Sequence, residues 1–221
     1  MCVVTATPPD AVVFDNDGLL LDTEVAWTRA EVTLFARRDR TFTDEHKRYI
    51  IGSSRAVAAR KLEEMLDRPG EGIALMDELH DLVMEELLGG CPPRPGALEL
   101  LDALEAAGRP FALASNSSRP FCERALTVGG VRDRFAIVLT ADDVEHPKPA
   151  PDLYLAAAAA LGVPAERCAG LEDSPPGVAA AHAAGMFVIG VPYLPGTELP
   201  HADLLAGSLA DDAVHAALGL R

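Results

Sequence analysis

The sequence predicts an α/β fold, a parallel sheet flanked by helices with a helical block inserted after the first strand. Three observations predict it. Ala11-Val-Val-Phe14 is a short continuous apolar run that ends in acidic residues and Gly18, as a buried strand opening into a loop does. From Val25 to about Leu88 apolar residues recur at helical rather than strand spacing. From Ala97 onward, helix and strand patterns alternate, which calls for a parallel sheet covered by its crossover helices.

Each element has its own signal. Trp27, Ala30, Leu34 and Phe35 mark one helical face, and Leu62, Met65 and Leu66 another. Ile73 to Leu88 is amphipathic and stops at Gly89-Gly90. Pro92, Pro93 and Pro95 punctuate the chain there. Beyond them, helix is predicted at 97–107, strand at 110–114, helix at 120–128 and strand at 137–139. Helix follows at 153–161, strand at 168–171, helix at 176–184 and a last strand at 187–191. The expected division is a core of residues 1–20 and 92–221 and a helical cap of residues 21–91, joined by linkers near Leu19–Glu24 and Gly89–Gly96.

Composition narrows the function. The chain has 221 residues, 49% of them apolar and 24% charged, enough for a sizeable core in one or two domains. A net charge of -15 argues against nucleic-acid binding and against docking on anionic membranes, both of which need basic surfaces. The four cysteines, Cys2, Cys91, Cys122 and Cys168, form no C-x-x-C pair and no zinc spacing, so a reduced cytosolic (cytoplasmic) protein is expected. The N-terminus shows no secretion-signal pattern. The longest uncharged apolar run, Leu153 to Val163, is about half a membrane span. A monomer is the default.

Functional groups of an open parallel sheet gather at the carboxyl ends of its strands. Asp15 and Asp17 follow the first strand, and Ser115 and Asn116 the second. Lys148 lies in the loop after the third, and Glu172 and Asp173 follow the fourth. Carboxylates crowded in this way repel one another, and a magnesium ion, which takes hard oxygen ligands together with a substrate phosphate, is the usual remedy. Asp15 and Asp17 are two apart on an extended segment and point the same way. Asp15 is suited to attack phosphorus, and Asp17 to protonate the leaving alkoxide and then draw a proton from water. Lys148 is suited to neutralise nucleophile and phosphoryl oxygens. Ser115, Asn116 and nearby amides are suited to hydrogen-bond those oxygens. Taken singly, Asp15 and Asp17 beside Gly18 are also turn formers, Lys148 a surface lysine, Glu172 and Asp173 helix-start residues and Ser115 a cap. Asp22 and Thr23 are expected to pin the first loop, and Trp27 to pack in the core. The histidines complete no nucleophile–base set.

Four segments in order resemble the motifs of the haloacid dehalogenase (HAD) superfamily. They are Phe14-Asp-Asn-Asp-Gly-Leu-Leu-Leu-Asp-Thr-Glu24, Leu113-Ala-Ser-Asn-Ser117, Lys148-Pro-Ala-Pro-Asp152 and Gly170-Leu-Glu-Asp-Ser-Pro-Pro-Gly177. The resemblance covers nearly the whole chain. It implies a Rossmann-like core, a helical cap inserted after the first motif, and magnesium held by the Asp15 carboxylate, the Asp17 main-chain oxygen and Asp173, with Glu172 assisting. Gly52-Ser-Ser-Arg55 resembles a cap segment of β-phosphoglucomutase and related sugar phosphatases, where the matching arginine contacts a substrate phosphate or polar group, so Arg55 is a candidate substrate contact. Trp27 stands where β-phosphoglucomutase has a histidine. Tryptophan cannot shuttle a proton as imidazole does, which favours hydrolysis over a phosphomutase reaction. Asp-Thr-Glu24, Trp27 and Arg29 resemble hexitol and deoxyglucose phosphatases instead. The expected activity is magnesium-dependent hydrolysis of small phosphate esters, sugar or polyol phosphates above all, through an aspartyl-phosphate. The rivals are a phosphomutase and a non-catalytic phosphosugar-binding protein. Nine basic against four acidic residues between Trp27 and Lys61 also suggest a locally positive lid.

Overall fold

A computed structural model describes residues 7–220. Its centre is a six-stranded parallel sheet made of β1 (Ala11–Phe14), β2 (Phe111–Ala114), β3 (Val138–Leu139), β4 (Cys168–Glu172), β5 (Phe187–Gly190) and β6 (Leu204–Leu205), in the order β3-β2-β1-β4-β5-β6. β1 is the apolar run Ala-Val-Val-Phe, and every residue in it is buried because it lies between β2 and β4 with helices on both faces. Its side chains alternate between two cores. Val12 and Phe14 join Leu113, Phe121 and Phe135 on one face, where α5 (Ala97–Ala106), α6 (Arg119–Val128) and α9 (Asp212–Ala217) pack. Ala11 and Val13 join Tyr154, Val178 and Val188 on the other, under α7 (Asp152–Leu161) and α8 (Pro175–Ala183).

The stretch between β1 and α5 holds α1 (Glu24–Ala36), α2 (Asp44–Ile50), α3 (Arg55–Leu66) and α4 (Gly72–Glu86). Thr43 caps α2 by accepting from the His46 N–H, and Asp67 in the left-handed conformation ends α3. Leu34, Phe35, Leu62, Leu75, Leu79 and Val83 fill the interior of this bundle. The two connections back to the sheet run side by side, tied by Asp22 N–H to the Pro92 carbonyl at 2.9 Å and Arg94 N–H to the Leu20 carbonyl at 2.9 Å.

The structure adds two elements past the last strand expected from sequence. β6 has two residues, too few for any alternation to show, and the prolines around it mask it further. α9 is a six-residue helix, shorter than the pattern window. β3 begins at Val138, one residue later than expected. The helical insertion is not positive as a whole. The basic window stops before α4, and over residues 21–91 ten basic residues face fifteen acidic ones, a net -5. Asp77, Glu78 and Glu86 of α4 pair with Arg55, with Arg37 and Arg38, and with Arg29.

Candidate active site

The sheet order reverses between β1 and β4, and the predicted residues collect at the carboxyl ends of those strands, where ligands of such sheets bind. Asp15 extends β1, and its N–H still donates to the Leu171 carbonyl at 3.0 Å. The chain then turns sharply. Leu20 and Leu21 N–H groups donate to the Asn16 carbonyl, and Gly18 adopts a φ of +84°. A β-carbon at Gly18 would overlap Asp173 Oδ2, so glycine lets the first loop lie against the fourth.

Lys148 is the hub. Only 3% exposed, its Nζ donates to Asp15 Oδ1 at 2.6 Å, to Glu172 Oε1 at 2.6 Å and to the Ala114 carbonyl at 2.8 Å, which uses all three ammonium hydrogens. Both carboxylates hold it charged against the pull of burial. Glu172 is braced by the Tyr154 hydroxyl at 2.6 Å and by the Asp173 N–H and Ser174 Oγ, each at 3.2 Å. Asn116 anchors the lysine's main chain. Its Oδ1 accepts from the Lys148 N–H at 2.8 Å and its Nδ2 donates to the Lys148 carbonyl at 3.0 Å. The side chain predicted to bind phosphate therefore has at most one hydrogen left for it.

Asp15, Glu172 and Asp173 each offer an oxygen within 4.8 Å of the others. Burial pushes the Asp15 carboxyl well above the usual range. Lys148 opposes this, while Glu172 and Asp17 add to it. Asp173 is pushed the same way by burial, then by Asp15 and Glu172. Three buried carboxylates against one ammonium leave surplus negative charge on hard oxygen donors, and the donor set fits magnesium.

Asp17 faces a different set. Its Oδ1 accepts from Thr23 Oγ1 at 2.7 Å, and its Oδ2 from Ser115 Oγ at 2.9 Å and Ser117 Oγ at 2.8 Å. Burial raises its pKa while the three hydroxyls oppose the rise. Ser115 thus points its hydroxyl hydrogen at Asp17. Above this floor, a cavity of about 150 Å³ runs to the helical insertion, with Trp27, Arg55 and Phe121 on its wall. Trp27 packs on Phe121 at 5.3 Å between ring centroids, so it is at once a packing residue and a cavity wall. Arg55 is ion-paired to Asp77. Sequence reasoning gave no role to Tyr154, Ser117, Glu31 or Lys47, and met Glu24 only as part of a motif. Tyr154 has the signal of a core aromatic, and only its hydroxyl bond to Glu172 shows otherwise.

A profile of the haloacid dehalogenase-like hydrolases matches residues 9–185. The chain belongs to the haloacid dehalogenase-like hydrolases. Among its relatives is a probable pseudouridine-5'-phosphatase of Drosophila melanogaster, 36% identical over 90% of this chain and 89% of that one. Another is the fructose-1-phosphate phosphatase YqaB of Escherichia coli, 31% identical over 83% of this chain and 96% of the relative. CbbY from Rhodobacter sphaeroides in complex with phosphate superposes with a TM-score of 0.80 at 29% identity, covering 92% and 96% of the two chains. With phosphatases at this identity over most of its length, the chain is a HAD phosphatase. Among the described residues no helix is long and apolar enough to cross a membrane.

Proposed function

We propose that this HAD phosphatase is a magnesium-dependent phosphomonoester hydrolase that forms an aspartyl-phosphate on Asp15 and acts on sugar or polyol phosphates. The observation that carries the reading is Lys148 Nζ held at 2.6 Å from both Asp15 and Glu172, beside Asp173, in the wall of the cavity. Asp15, the Asp17 main-chain oxygen and Asp173 would hold the ion, with Glu172 assisting. When bound, magnesium supplies positive charge that keeps Asp15 ionised and offsets charge on the phosphoryl oxygens.

The chain's own residues divide the remaining work. An Asp15 oxygen attacks phosphorus as the ester P–O bond breaks, and protonated Asp17 gives its proton to the leaving alkoxide. Burial raises Asp17 and so favours its acid form at the start of this step. A water then attacks the aspartyl-phosphate, its proton returns to Asp17, and inorganic phosphate leaves with Asp15 restored. Lys148 stabilises the charge that moves between nucleophile and phosphoryl group. Ser115, the Asn116 main chain and Arg55 of the cap contribute polar contacts to the substrate. Residues 1–20 and 92–221 act as the catalytic core, and residues 21–91 as a cap that closes to exclude water and opens for release. Trp27, packed at a tilt against Phe121, puts at that point of the cavity wall an indole that cannot shuttle a proton, which favours hydrolysis over a mutase reaction.

The test is release of inorganic phosphate from a panel of phosphate esters with magnesium, with EDTA, and with Asp15→Asn. Turnover should need the metal and fall by on the order of 10³ or more in the variant. Equal rates in the two proteins would refute a nucleophilic Asp15.

A further inference from the structure

The cavity carries a second polar cluster that the chemistry at Asp15 does not use. Glu24 and Glu31 lie seven residues apart on one face of α1, and Lys47 reaches them from α2. All three line the cavity that holds Asp15 and Asp173, yet they are only 6%, 3% and 7% exposed. Lys47 Nζ donates to Glu31 Oε2 at 2.9 Å. It also lies 2.6 Å from Glu24 Oε2, at an angle that leaves that buried oxygen without a directed hydrogen bond.

Such a cluster is a poor stabilising device. Taking ions out of water costs several kcal/mol each, and well-packed apolar side chains are commonly as stable. The adjoining wall shows the alternative, since Trp27, Ile50, Met76, Leu79 and Phe121 line it with carbon and sulfur. The combination suits a ligand with an apolar carbon face and polar groups at its far edge. The charge count says which polar groups. Within the cluster two carboxylates meet one ammonium, while Arg55 and His80 stand elsewhere on the cavity wall. No surplus positive charge is available in the cluster for a second phosphate, whereas hydroxyls can donate to Glu24 and Glu31 and accept from Lys47. Burial pushes Glu31 up to about 7, so near neutrality it can also donate.

We infer that Glu24, Glu31 and Lys47 form a recognition site for uncharged hydroxyls at the end of the leaving group remote from the phosphate. The substrates are then polyol or sugar monophosphates, and a second phosphate at the far end is rejected. The inference rests on the hydrolase reading above and deepens it.

The experiment measures kcat/KM with magnesium for p-nitrophenyl phosphate, hexyl phosphate, sorbitol phosphate and sorbitol bisphosphate. The wild-type protein should favour sorbitol phosphate over hexyl phosphate by about a hundredfold or more, because the analogue without hydroxyls leaves buried polar groups unpaired. It should turn over the bisphosphate at least about tenfold less well than the monophosphate. Glu31→Gln should shrink the sorbitol-to-hexyl ratio by about tenfold. Should that variant fail to fold, the wild-type ratios still decide. Equal kcat/KM for hexyl and sorbitol phosphate, a preference for the bisphosphate, or an equal loss on both esters in the variant would overturn the site while leaving the hydrolase reading intact. No turnover of any ester, p-nitrophenyl phosphate included, would overturn the hydrolase reading, and the site with it.

Discussion

At the scale of single residues the site is a small set of oxygens competing for one ammonium. Lys148 has its three hydrogens on Asp15, Glu172 and the Ala114 carbonyl, so its position depends on how well Glu172 is fixed. Tyr154 is what fixes it from below, through a buried hydroxyl that shares Glu172 Oε1 with the lysine. Phenylalanine fills the same space without the donor. We expect Tyr154→Phe to fold normally and to weaken magnesium binding by about tenfold or more, as loss of a partner behind a metal ligand does. Calorimetric titration of the metal-free protein with magnesium measures this without reference to turnover. Unchanged affinity would mean that Lys148 and the Asp173 N–H suffice to hold Glu172. The same scale explains why the residues beyond the motifs are hard to read. Tyr154, Ser117 and Lys47 are ordinary residues in ordinary helices and loops until a partner far away in sequence faces them.

At the scale of elements, the distance between a strand tip and the next helix matters most. α8 starts directly after Asp173, with Ser174 as its cap accepting from the Gly177 N–H at 3.3 Å. Gly177 sits in the first turn of α8 against the carboxylate of Glu172, where a β-carbon would overlap the carboxyl group. Alanine within a helix is ordinarily better than glycine by about 1 kcal/mol. Overpacking a close contact costs typically about 1–3 kcal/mol, and here the displaced group is Glu172. We therefore expect Gly177→Ala to lower both stability, in a urea titration, and phosphate release. A variant more stable than the parent with full activity would show that α8 can withdraw without moving Glu172. The Gly and Pro residues of this turn were legible as a motif. That the glycine is there to admit a carboxylate is a fact of packing.

At the scale of the molecule, the fold concentrates like charges that the chain keeps far apart in sequence. Asp15 and Asp173 both have pKa values above the usual carboxylate value when folded, so the folded state binds protons more tightly than the unfolded chain. The contribution of these two groups to the stability of the metal-free protein should therefore be greatest in acid and fall as pH rises from about 4 toward neutrality, against the opposite contribution of Asp10, Glu78 and Asp143, whose pKa values are lowered. Magnesium held by these carboxylates would reverse the loss by stabilising the ionised form. At a hundred times its Kd it should add about 2.7 kcal/mol near pH 7 and little near pH 4. Thermal melts across that range, with and without magnesium, check both signs. A metal-free melt that rises toward neutral pH would count against this reading of the carboxylate cluster.

Local pattern along the chain was enough to show the sheet and to name candidate chemical groups. Periodicity and apolar runs are local properties, and a buried central strand such as Ala11–Phe14 or a helix such as Gly72–Glu86 cannot form without them. The four motifs likewise sit on contiguous residues, so Asp15, Asp17, Lys148, Glu172 and Asp173 stand out as candidates before any geometry is known. What those groups meet came from the fold. It turned Asn116 toward the Lys148 main chain, set Thr23, Ser115 and Ser117 around Asp17, paired arginines of the helical insertion with the acids of α4, and buried Glu24, Glu31 and Lys47 in one wall. The physical reason is that charge and hydrogen bonding act over a few ångströms in space, and a chain reveals its spatial neighbours only once it has folded.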